Sequence, residues 1–306
     1  MKYGIFCPFL KEPNSIEISE QEFVRAKLAT KNLTQVLSIE GKFDMVLENY
    51  VEYERELLEL ALQEMVRQGR PWSAIQFDIY RVNRRLANLL SATRLYTDQI
   101  KHDVSSLEDL GNSLAEKLEQ YFSAEYDSRF GYRVMVELRN YAQHRSLPVH
   151  GLSYGRSWEP REDPTNLVFR MAPSVRTSEL REDGHFNAAT LADLATLGEH
   201  IPLTPLVREY IEGLSAVHEN FRKMADKIVN EWETTLRQVQ DRAAKEFGVR
   251  KNLLLLTLVD DEGHRSDEGA VIQGALDHRK ELVQKNTGFA KLSARFVSGA
   301  CGLRNA

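Results

Sequence analysis

The chain has 306 residues, 42% hydrophobic and 28% charged, with a formal net charge of −5. That is too apolar for a disordered chain, too charged for a membrane one, and long enough for one large or two ordinary domains. The longest purely apolar run, residues 253–256, falls far short of the ~20 residues that span a bilayer, and the first residues lack a signal peptide's apolar region. Cys7 and Cys301 lie far apart in sequence and give no disulfide framework, so the expectation is a cytoplasmic protein without membrane attachment.

Residues 1–16 read as an extended lead-in. Ser19 and Glu22 have capping-box spacing and open a helix that Gly41 is expected to break or kink. Phe43, Leu47, Tyr50, Leu57, Ala61 and Met65 keep helical spacing until Gly69 and Pro71 end the run. Ser73 and Gln76 suggest a second capping box, followed by a stripe from Ile75 to Ile100 in alternating steps of four and three, the pattern of helix-on-helix packing. Leu107, Leu110, Leu114, Leu118 and Phe122 mark a further helix. The next spans residues 132–147 and stops at Pro148.

Beyond it, glycines and prolines at 151, 155, 160, 164 and 173 interrupt the pattern. Residues 167–171 suggest a short strand paired in a hairpin with residues 152–158. Asn187 is placed to cap a helix over 188–197, and Thr204-Pro205 to open the longest helix, 205–247. Residues 253–259 read as a buried strand, 260–268 as an acidic loop, and 287–306 as poorly anchored. The expected architecture is mainly α, a helical bundle of long helices with a small β-hairpin insertion. Its segments are a bundle over 1–147, a basic β-containing insertion over 148–186 and a C-terminal helical segment over 187–306.

Charge is uneven. Residues 129–181 hold nine arginines, no lysines and five acids, a net of +4 within a chain of −5. Arginine forks onto phosphate, so this stretch reads equally as a phosphate-binding face or as a set of ion-paired arginines. There is no P-loop, dinucleotide fingerprint, nucleophile elbow or zincin helix, and no metal or cofactor is expected. Two spots, Glu182 to His185 and Asp260 to His264, combine carboxylates with a histidine but are broken by glycine and read as ordinary solvated loops.

The group Arg139, Asn140 and His144 is different because its residue types fit one reaction. In a helix Asn140 and His144 stack four apart, with Arg139 beside them. Metal-free cleavage of RNA needs a base for the ribose 2′-hydroxyl proton, an acid for the leaving oxygen and positive charge on the phosphate; histidine, arginine and an orienting amide supply these.

This arrangement, an arginine followed by Asn140, a four-residue spacer and a histidine near the end of a helix, resembles the signature of the HEPN superfamily. The resemblance covers residues 17–147 at most. It implies a homodimeric helical bundle acting as a metal-independent endoribonuclease in a toxin or host-defence system, with an antitoxin or defence-system partner. It further implies His144 as acid/base group, Arg139 as phosphate clamp and Asn140 as orienting residue. Arg145, His150 and Arg156 are second candidates for holding substrate phosphate. In the toxin subgroup inactivated by a nucleotidyltransferase, a tyrosine lies two residues after the histidine; here Ser146 stands there, which departs from that subgroup. The competing expectation is a non-catalytic helical module that binds RNA, a nucleotide or a protein.

Overall fold

The computed structural model describes residues 1–11, 13–67, 69–108, 111–159, 166–248, 252–289, 291–295 and 297. Among these the protein is mainly helical. Its elements are β1 (Lys2–Phe6), β2 (Ser15–Ile18), α1 (Glu20–Val66), α2 (Trp72–Ser105), α3 (Gly111–Ser128), α4 (Phe130–His144), β3 (Gly151–Glu159) and β4 (Asn166–Arg176). There follow α5 (Thr177–Asp183), α6 (Ala188–Thr196), β5 (His200–Pro202), α7 (Leu203–Phe247), β6 (Leu253–Val259), β7 (Arg265–Ile272) and α8 (Gln273–Lys285). Cys301, Leu110, Pro160 and Pro164 lie outside the described residues.

Two compact units divide the chain, and the division does not follow the expected boundaries at 147 and 186. The first comprises residues 1–45, 95–121 and 218–287, the second 46–94, 122–217 and 288–306. Helices α1, α2, α3 and α7 each supply a segment to both. A break by chain order fails because the long helices carry apolar residues along their whole lengths.

In the first unit an antiparallel sheet has the order β2-β1-β6-β7. The lead-in is thus not merely extended: Ile5 faces Leu256 and Ile16 across its two neighbours. The strand expected at 253–259 is present as the inner strand β6, with Leu254 and Leu256 fully buried. The Ser19 capping box forms: Ser19 N–H donates to Glu22 Oε2 at 2.9 Å and Glu22 N–H to Ser19 Oγ at 3.2 Å. Gly41 does not break the helix it sits in. One glycine costs about 1 kcal/mol in a helix interior, less than the burial of Ile39 and Phe43 on either side contributes.

The same unit buries a polar cluster around His218, which is 0% exposed. Phe43 stacks on its ring at 3.9 Å between centroids. Glu40 can only accept, so His218 Nε2–H donates to it at 3.0 Å, and the neutral Nδ1 accepts from the Tyr96 hydroxyl at 2.9 Å. Arg222 grips the same carboxylate through Nε at 3.0 Å and a terminal nitrogen at 2.6 Å.

In the second unit β3, β4 and β5 form an antiparallel sheet in that order. Residues 151–159 pair with 166–174, which includes the two segments expected from sequence to pair. Helix α2 starts at Trp72, with Pro71 O accepting from Ala74 N–H at 2.9 Å, rather than through Ser73 and Gln76. Asn187 caps α6, accepting from Thr190 N–H at 3.0 Å. Helix α7 begins at Leu203, so Thr204 lies inside the helix, with its buried hydroxyl beside that of Tyr53.

Candidate functional site

Helix α4 belongs to the second unit, and its sequence decides how it docks. Tyr132, Val134, Met135, Leu138 and Tyr141 are buried. Gly131 lets the helix start against α7: a Cβ there would lie 3.0 Å from Leu206 Cα, and its N–H donates to Glu209 Oε2 at 2.5 Å. Gly213 of α7 leaves room in turn for the Tyr132 ring, which a Cβ would meet at 2.6 Å. The helix ends at His144, as Pro148 predicts, and the following chain is pinned by Asn83. That amide donates to Val149 O at 3.0 Å and accepts from Val149 N–H at 2.9 Å.

At this helix end a pocket of about 190 Å³ is lined by Glu137, Asn140, Tyr141, His144, Arg145, Asp183, His185 and Phe186. Asn140 and His144 are exposed, and neither side chain has a partner among the described residues. Arg145 faces Asp183 at 3.7 Å. His185 arrives through a turn at the end of α5, where Gly184 adopts φ 71°, a left-handed conformation that favours glycine. Its Nδ1 lies 2.7 Å from Asp183 O, a carbonyl that can only accept, so Nδ1 is the donor and Nε2 is the ring nitrogen left for a ligand.

Arg139 is not brought to this pocket. It is 7% exposed and lies on the opposite side of α4 beside Tyr132 and the Tyr210 hydroxyl, with Nε lacking a hydrogen-bond partner. The reason is helical arithmetic: five residues advance about 500°, so positions 139 and 144 point about 140° apart. The expected place of Arg139 beside Asn140 and His144 is therefore corrected. A guanidinium buried without a carboxylate among the described residues is costly, and the Tyr210 hydroxyl offsets only part of that cost.

The second-rank residues separate. Arg145 lines the pocket, whereas His150 and Arg156 do not. His150 Nδ1 accepts from Arg176 N–H at 3.1 Å, so its Nε2–H faces the Tyr141 hydroxyl at 3.3 Å. Burial pushes this imidazole below its usual value, and it acts as a neutral peg between α4 and β4. Arg156 is ion-paired with Glu64 and lies over Phe169.

Much of the arginine-rich stretch is ion-paired, by acids both near and distant in sequence. Arg129 pairs with Glu125 and with Glu212 at 3.2 Å, Arg133 with Asp193 at 3.8 Å, and Arg176 with Glu179 at 2.6 Å. In the pocket two carboxylates, Glu137 and Asp183, accompany one guanidinium, so the site is polar and mixed in charge rather than basic.

Sequence reasoning missed Glu137, Asp183, His185 and Phe186 as pocket residues. His185 carried a visible signal in Asp183-Gly184-His185, a turn that ends a short helix, but nothing local says where that turn points. In the first unit, Asp260, Glu262 and His264 gather in the exposed β6–β7 turn. There Asp260 Oδ1 accepts from Glu262 N–H at 2.9 Å and His264 N–H at 2.8 Å, which makes it a turn-forming residue.

Compared with known proteins, the chain matches no family model, no curated protein and no solved structure.

Proposed function

We propose that the protein is a metal-independent endoribonuclease of HEPN type, a cytoplasmic homodimer serving as a bacterial toxin or anti-phage effector with an antitoxin or defence-system partner. In this reading the helices form a bundle around α4 and β3–β4 is an insertion beside it. The observation that carries the proposal is the pair of unpartnered side chains, Asn140 and His144, that line one pocket with a second imidazole, His185.

The chemistry follows from the two rings. The neutral His185 ring, with Nδ1–H held by Asp183 O, takes the ribose 2′-hydroxyl proton at Nε2 as O2′ attacks phosphorus. His144, as imidazolium, protonates the departing 5′ oxygen. The O2′–P bond forms, the P–O5′ bond breaks, and the product ends in a 2′,3′-cyclic phosphate. Asn140 donates to a phosphate oxygen, and Arg145 supplies the charge that Arg139, turned into the core, does not. Among the described residues no helix is long and apolar enough to cross a membrane.

A second reading, a non-catalytic module binding RNA, a nucleotide or a protein, is favoured by the ion-paired arginines and by the core position of Arg139. Cleavage of mixed cellular RNA in excess EDTA separates the two. The nuclease predicts cyclic-phosphate ends from wild type and none from His144→Ala or His185→Ala. Equal cleavage by all three removes both histidines from the chemistry, and no cleavage by any favours the binding module.

A further inference from the structure

The pocket at the end of α4 contains a charge with no part in the chemistry at the two histidines. Glu137 lines it from the same helix as His144. Seven residues advance about 700°, roughly 20° short of two full turns, so the two side chains share one face about 10 Å apart along the axis. A carboxylate in a cleft for a polyanion repels the phosphates of its ligand unless the ligand brings donors to it.

The other carboxylate of the pocket is already answered, since Asp183 faces Arg145 at 3.7 Å and accepts from His185 N–H at 3.3 Å. Glu137 has no cation among the described residues. Its Oε1 accepts from the Tyr126 hydroxyl at 3.5 Å, a long bond, and its Oε2 has no partner among the described residues. A carboxylate has about four lone-pair sites, so this one can still accept two N–H bonds side by side.

RNA offers such a pair on one base. Unstacked bases are read on their Watson–Crick edges. There guanine presents N1–H and N2–H next to each other, a match for the two oxygens of a carboxylate. Adenine and cytosine each present one amino group beside an acceptor nitrogen, and uracil one N–H between two carbonyls. A carboxylate facing any of these sets acceptor against acceptor. Phe186, largely buried, gives the same pocket an aromatic wall.

We propose that Glu137 reads guanine, its carboxylate accepting from N1–H and N2–H of the nucleotide that supplies the attacking 2′-hydroxyl. The ribose and phosphate of that nucleotide sit at the His144 end, its base extends along α4 to Glu137, and the product ends in guanosine 2′,3′-cyclic phosphate. The cleavage site rests on the nuclease reading of this pocket, and base recognition is tested separately from it.

The test uses the full chain and DNA strands carrying one ribonucleotide, rG, rI, rA, rC or rU, so that a single 2′-hydroxyl fixes where cleavage can occur. Inosine keeps N1–H and lacks the N2 amino group. Wild type is expected to cleave the rG strand roughly 5- to 150-fold faster in kcat/KM than the rA, rC or rU strands, the range for one bidentate base contact, with rI in between. Glu137→Gln, whose amide has one acceptor oxygen, is expected to abolish the advantage of rG. Equal rates on all five strands, or a preference for rG that Glu137→Gln retains, overturns the proposal and leaves the nuclease reading standing. Where the strands stay intact, their affinities for wild type and Glu137→Gln, followed by fluorescence anisotropy, decide instead. A preference for rG that the substitution removes supports guanine recognition, and equal affinities overturn it, while the nuclease reading stands or falls on mixed cellular RNA.

Discussion

His218 and His144 stand at opposite extremes of how a protein can hold an imidazole. In the first unit His218 is enclosed by Phe43 and has both ring nitrogens committed, to Tyr96 and to Glu40. In the second unit His144 ends α4 in the open, with no partner among the described residues, and lines a pocket with a second ring, His185, that is held only through Nδ1. A satisfied ring spends its hydrogen bonds on the fold and has none for a ligand. An unsatisfied ring in a polar pocket keeps that capacity available, which is why His144 and not His218 is the candidate for chemistry.

The sharpest way to break this contrast is to delete each ring's function in turn. His144→Ala is expected to lower RNA cleavage by roughly 100- to 10,000-fold with thermal unfolding unchanged; a large loss of stability instead would place His144 with His218 as a structural residue. Next in size, Glu40→Leu strands Arg222 and His218 in the core and is expected to cost about 3–5 kcal/mol in denaturant unfolding, with no direct effect on cleavage. A cost below 1 kcal/mol would mean that the cluster relaxes freely and the comparison is overdrawn.

Acid should separate the two regions by pH. Burial alone would raise the Glu40 carboxyl, but hydrogen bonds from His218 and Arg222 outweigh it and hold it at about 2. Burial likewise lowers His218, so the ring folds neutral. Both depressed values add stability at neutral pH. His218 begins to lose its share as pH falls below about 6.5, and Glu40 loses its share between about 4.3 and about 2. Unfolding free energy measured against pH should fall through both windows, and His218→Gln should flatten the upper one. The smallest effect is at the cap: Ser19→Ala is expected to cost about 1 kcal/mol in the same assay and to leave RNA cleavage alone.

What the sequence made legible was local. The Ser19 and Glu22 cap, the Asn187 cap, the end of α4 before Pro148 and the buried strand at 253–259 each rest on neighbours a few residues apart. What it hid was set by distance. The arginines of residues 129–181 read equally as a phosphate-binding face or as ion-paired, because Glu64, Asp193 and Glu212, which pair with some of them, come from other elements. Gly41 read as a break because its local cost is visible and the burial that offsets it is not. Arg139 differs: helical geometry alone sets it about 140° from His144, although the residue types suggest one patch. His185 needed the α5 turn, which no periodicity announced.

The register of the first sheet has a consequence for synthesis. Strand β1 leaves the ribosome before its partner β6, which follows about 250 residues later; at about 5–20 residues per second the wait is on the order of tens of seconds. Throughout that time one edge of the β1–β2 hairpin has unpaired backbone groups, an open template for any neighbouring strand. Nascent chains halted before residue 253 should therefore associate through β1, and the first unit can close only after most of the second has been made.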